Sequence, residues 1–108
     1  MAPSNLNVFQ VIADPSRREI LAMLTNGSQN INSIAENFDM SRPAVSKHIK
    51  ILKNARFLSI KEIGRERHCY LNADGFKELQ SWINHFDNFW NTKLQNLEIA
   101  LNKKGKTK

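Results

Sequence analysis

The chain has 108 residues, 41% of them hydrophobic and 24% charged, with three prolines and four glycines. This is the composition of one soluble, helix-rich domain, not of a disordered or all-β chain. No run approaches the ~18 apolar residues of a membrane span. The start, "MAPSNLNVFQ", lacks a basic stretch followed by an apolar block, so no signal peptide is expected. The single cysteine, Cys69, excludes an internal disulfide and suits a reducing cytoplasm. The net charge of +6 is held unevenly. Residues 41–72 carry eight cations against two acids, and the stretches on either side, 1–40 and 73–101, lean acidic. Four lysines close the chain after residue 101. A single-sign field of this kind attracts polyanions.

In chain order, Leu6, Phe9 and Ile12 stand three apart and predict a short first helix. In "DPSRREILAMLTNG", Asp14 is a natural N-cap and Pro15 occupies the first helical position, where its missing N–H costs nothing. Ile20, Leu21 and Leu24 make the inward stripe, and Gly27 is a stop. Ile31, Ile34, Ala35 and Phe38 then line one face of a two-turn helix. After a short "DM" connection, Ser41 is placed to cap a further helix with Pro43 in its first turn. Val45, Ile49 and Leu52 form that helix's buried face. Arg42, Ser46, Lys47 and Lys50 fall on the other side, with His48 near the edge. Two short helices joined by a tight turn, the second basic outside, make a helix-turn-helix pattern.

The pattern then changes. "FLSIKEIGRERHCYLN" predicts strands at about 58–63 and 67–72, joined at Gly64-Arg65-Glu66, as a hairpin that must pack on the helices to be stable. From Asp74 the helical period returns and continues to Leu101 with alternating spacings of three and four, the seam of a helix that packs on another helix. Residues 1–101 are read as one domain, and 102–108 as a disordered basic tail. The expected fold is mainly α with a small β-hairpin, in the order α-α-α-α-β-β-α.

Three ordered fragments, "VIADPSRREILAML", "IAENFDMSRPAVSKHIKILKNARFL" and "GRERHCYLN", together resemble the ArsR/SmtB family of bacterial winged helix-turn-helix repressors over roughly residues 6–100. The resemblance implies a dimeric repressor on an imperfect palindrome in double-stranded DNA. It implies that the helix matching Ser41–Asn54 enters the major groove and that the hairpin wings lie on flanking DNA. It also implies that the first and last helices, which carry Phe9 and the apolar seam, form the dimer interface.

On this reading Lys47, Lys50, Lys53, Arg56, Arg65 and Arg67 are phosphate candidates. Arg42, Pro43, Ser46, Lys47 and His48, near the start of their helix and capped by Ser41, lie on the face that would set specificity: Pro43 could meet a thymine methyl, and the other four could each take a base edge or a phosphate. Arg65 is the choice for a minor groove, whereas Arg67 could instead orient the hairpin through Glu62 or Glu66. Arg56 stands where the family often has glycine, so its turn either avoids positive φ or accepts modest strain. Trp82, Phe86, Phe89, Trp90, Leu94 and Leu97 are more large apolar groups than a lone surface helix carries. Some are expected on the domain's own core and the rest on a second copy.

Many family members sense metals, and here the chain departs from their pattern. The helix over Ile31–Phe38 has neither Cys nor His. His85 and Asp87 diverge around their helix, and His68 and Cys69, adjacent on a strand, face opposite sides. No metal or other cofactor is expected, and the inducer is unknown. An enzyme would need a phosphate loop or a converging nucleophile and base; Ser46 and His48 diverge and Cys69 with His68 is no dyad. The alternative is a winged-helix module for protein or RNA, for which the hairpin offers only Tyr70 and Phe57 as stacking residues.

Overall fold

The computed structural model describes residues 6–105, so residues 106–108 of the expected basic tail lie outside it. The chain divides after Glu78 into two compact units.

The first unit opens with α1 (Val8–Ile12), started by a reciprocal capping box between Asn7 and Gln10. α2 (Pro15–Met23) follows, with Asp14 as its cap. A 3-10 turn over Leu24–Asn26 ends at Gly27, whose φ of 130° only glycine adopts freely. α3 (Ile31–Ala35) is capped by Asn30 and α4 (Arg42–Asn54) by Ser41. The hairpin strands are β2 (Leu58–Ile63) and β3 (Glu66–Leu71). Their register pairs Ile63 with Glu66, so the loop is Gly64-Arg65 alone and Glu66 belongs to the second strand.

One element was not expected. Gln29–Asn30 forms a two-residue β1 on the far side of β3, pairing Gln29 with Cys69 and Asn30 with His68. The sheet order is therefore β1-β3-β2. The extra strand ties the segment before the helix-turn-helix to the wing, which stabilises a hairpin that alone would be marginal.

Ile20, Ile34, Val45, Ile49, Leu52, Phe57 and Leu58 are fully buried and define the core. Ile51 is buried too, which widens α4's apolar side beyond the i, i+4, i+7 stripe. Cys69 joins the core outright.

α4 ends in a Schellman turn. The Phe57 N–H donates to the Leu52 carbonyl and the Arg56 N–H to the Lys53 carbonyl. Arg56 takes the left-handed position, with φ 65°, so the turn is the strained form. Arg56→Gly is expected to gain about 0.5–1 kcal/mol, the left-handed penalty less glycine's extra unfolded entropy. A small upward shift in the urea midpoint at constant m-value checks this.

α5 (Asp74–Gly105) starts in the first unit, where the Phe76 ring meets Phe57 edge-on at 4.9 Å. It runs on to Gly105, into the segment expected to be a tail. The second unit, from Leu79, is the rest of this helix. Trp82, Phe86, Phe89, Trp90, Leu94 and Leu97 are all exposed on it, Trp82 by 54% and Trp90 by 55%. Among the described residues no helix is long and apolar enough to cross a membrane.

Candidate nucleic-acid interface

α4 buries Val45, Ile49, Ile51 and Leu52 and thereby fixes what it turns outward. Ser41, Arg42, Pro43, Lys47, Lys50 and Lys53 are exposed, and Ser46 and His48 are half-buried. The helix is started by Ser41, whose Oγ accepts the Ala44 N–H at 3.3 Å. Pro43 in the first turn and the absence of any acid there leave the helix N-terminus open to an anion.

Between α4 and the sheet lies a groove of about 350 Å³. Ile31, Ile49 and Ile60 contribute its apolar surface, and Arg42, Lys50, Lys53 and Arg67 its charge, with Ser46 among them. A smaller depression of about 110 Å³ shares Arg42 and Arg67 with it and adds Arg65 and Glu66 of the wing. A cationic track thus links the start of α4 to the wing tip. Among the described residues, Arg42, Lys47, Lys50, Lys53, Arg65 and Arg67 form no ion pair. Glu62 lies opposite Arg67 in register, but Arg67 pairs with neither Glu62 nor Glu66. Glu66 instead faces His68, 3.1 Å from its Nε2. The cations are therefore available to an outside polyanion.

Behind α4, one charged residue is structural. Arg17 is 9% exposed. Its Nε donates to the Val11 carbonyl at 2.7 Å and its Nη2 to the Gln10 carbonyl at 3.4 Å, closing the end of α1. Its Nη1 lies 3.2 Å from His48 Nδ1 on α4. The signal was present: Arg17 completes the stripe of Ile20, Leu21 and Leu24 at i, i+3, i+4 and i+7, so it points inward. His48 thus has an intramolecular partner.

Asp14 caps α2 by accepting the Ser16 and Arg17 N–H groups at 2.8 and 3.2 Å. Burial pushes its carboxyl up, but those two N–H donors, with the charge of Arg17, outweigh burial and hold it below the usual 3.8. A depressed carboxyl contributes stability above its unfolded value that is lost as pH falls through its folded value. Asp14→Ala is expected to cost about 1 kcal/mol at neutral pH and progressively less below about pH 4, read from urea melts at both pH values.

Among the described residues no three His, Cys, Asp or Glu side chains gather as a metal site. Burial pushes the Cys69 thiol up to about 11 against the opposing charge of Arg67, so it stays protonated and is a poor ligand or nucleophile.

Residues 14–59 match the model of the "Bacterial regulatory protein, arsR family". The transcriptional repressor SdpR of Bacillus subtilis is 38% identical over 82 residues, 76% of this chain and 91% of that protein. The chain belongs to the ArsR family. The HTH-type transcriptional regulator Rv2034 of Mycobacterium tuberculosis is 32% identical over 90% of this chain and 88% of its own. A crystal structure of a possible transcriptional regulator for arsenical resistance superposes with a TM-score of 0.69 at 35% identity, over 85% of this chain and 93% of the other. The winged helix-turn-helix expected of this ArsR member is the fold observed, with α4 as the second helix of the helix-turn-helix and β2–β3 as the wing.

Proposed function

We propose that this ArsR-family chain is a cytoplasmic, homodimeric repressor that binds a palindromic double-stranded DNA operator. α4 enters the major groove and the wing follows the flanking backbone. The observation that carries the reading is the unpaired cationic track of Arg42, Lys50, Lys53, Arg65 and Arg67, which runs from the start of α4 to the wing. Duplex DNA offers phosphates on both sides of a groove that a helix fills, and such a track meets them. Ser41, Arg42, Pro43, Ser46, Lys47 and His48 lie toward the bases, and Lys50, Lys53, Arg65 and Arg67 toward phosphate.

The dimer rests on the exposed apolar face of α5, with Phe9 of α1 as a further contact. A two-fold pair buries that face and sets two reading helices about 34 Å apart, one turn of DNA. The RNA-module alternative loses support because Phe57 is fully buried and Tyr70 is half-buried with Lys61 over its ring.

Selection of bound duplexes from a random pool tests the reading, with enrichment of an inverted repeat expected. In the same assay Arg42→Ala and Ser46→Ala should each cost about 1–3 kcal/mol and relax preference at particular base pairs. A uniform loss over all sequences would move them to the phosphate class. Binding to single-stranded RNA in preference to duplex would contradict the proposal.

A further inference from the structure

Arg17 and His48 form a contact that the DNA-binding reading does not use. A guanidinium only donates hydrogen bonds. His48 Nδ1, 3.2 Å from Arg17 Nη1, therefore accepts, which places the ring's proton on Nε2 and requires the ring to be neutral. We infer that Arg17 is a positioning residue: through this bond it sets the tautomer of His48, so that α4 meets DNA with an Nε2–H donor and is held to α1 and α2. The inference rests on the DNA-binding reading for its consequence, but not for the tautomer itself.

The bond reaches the whole front of the domain. The same guanidinium holds the Val11 and Gln10 carbonyls at the end of α1. α1, α2 and the reading helix therefore share one buried cation. Among the described residues, the charged groups recorded beside His48 are Arg17 itself and Asp14, the α2 cap, whose Oδ2 lies 3.9 Å from Arg17 Nη1. A proton on Nδ1 would set N–H against N–H at 3.2 Å and place two positive charges together. Asp14, held by backbone N–H donors, is in position to offset only part of that repulsion.

The experiment has two arms. Nitrogen-15 histidine spectra of the free protein report the tautomer of each of the three histidines, and the signal missing in His48→Asn identifies His48. Asparagine carries an acceptor oxygen on Cγ where histidine carries Nδ1, and it does not titrate. At about pH 7.5 wild-type His48 is expected with Nδ1 bare and Nε2 protonated, and Arg17→Met is expected to show mixed tautomers.

In the second arm, affinity for a duplex enriched by the wild-type protein is compared with affinity for a scrambled duplex. At neutral pH, Arg17→Met is expected to lower the specificity ratio about tenfold in the wild-type background and to change it by no more than about twofold in a His48→Ala background. A protonated Nδ1 in the wild type at neutral pH overturns the inference, as does an Arg17→Met loss of equal size in the His48→Ala background. Should Arg17→Met fail to fold, the tautomer of His48 in the wild-type spectra decides alone. A protein with the expected tautomer that prefers no duplex refutes the DNA reading and leaves the Arg17–His48 assignment standing.

Discussion

Replacing Phe86 and Trp90 together by glutamate is expected to turn the protein into a monomer at micromolar concentration and to weaken binding to a two-half-site duplex by at least about a hundredfold. Both side chains are exposed on α5. They flank Phe89, and Trp82 contacts Phe86 edge-on at 5.0 Å. The aromatic rings and Leu94 and Leu97 lie on one broad side of the helix. Burying a side chain of this size is worth about 1.5–3 kcal/mol, and each is counted twice in a two-fold pair. A charge placed on an exposed surface costs the fold of one chain little, within about 0.5 kcal/mol. Loss of assembly with unchanged helix content is therefore the expected signature. Sedimentation supplies the mass. The only two tryptophans are both on α5, so the fluorescence of the remaining Trp82 should shift red as water reaches it. A double variant that sediments as the wild type would contradict a dimer built on α5.

Gly75→Ala is the second large effect, and its sign is diagnostic. Alanine in place of a helix glycine ordinarily gains up to about 1 kcal/mol. Here an added Cβ would meet the Arg56 carbonyl carbon and oxygen and Phe57 Cγ, each at 2.8 Å. The Gly75 N–H donates to that same Arg56 carbonyl at 2.7 Å. Two of the three obstructing atoms are backbone in the Schellman turn that ends α4, and the third is the ring of a fully buried phenylalanine. Neither swings aside as a long surface chain would. A net loss of about 1–3 kcal/mol is expected, or several degrees in Tm at about 4–8 °C per kcal/mol. A Tm at or above the wild-type value would show that the start of α5 does not press on the end of α4.

Local patterns in the chain announced most of this fold. Asp14 before Pro15, Ser41 before Pro43, and the apolar stripes of α2 and α4 each specify an element through contacts within a few residues. The hairpin was legible because alternation and Gly64 agree. What stayed hidden depends on partners distant in sequence. β1 is two residues long and exists because Gln29 and Asn30 find Cys69 and His68. Gly75 is required by Arg56, and the left-handed turn at Arg56 belongs to a residue that does not favour it. Arg17 sat on an apolar stripe in plain view. Its partners on α1 and α4, however, are defined only once the three helices pack.

For the interface, residue type was a sound guide to which side of α4 faces out. It did not show that Arg42 and Arg67 line the same groove across α4 and β3, nor that His48 is engaged from behind by Arg17.

For this protein to act as proposed, those groove cations must meet phosphates of duplex DNA. Affinity for the selected duplex measured against salt tests this most directly. The wild-type log–log plot should fall steeply, and Arg67→Ala should flatten it by about 0.9 for each phosphate that Arg67 neutralises, or about twice that in a dimer. Binding that ignores salt, or an Arg67→Ala slope identical to the wild type, would contradict it.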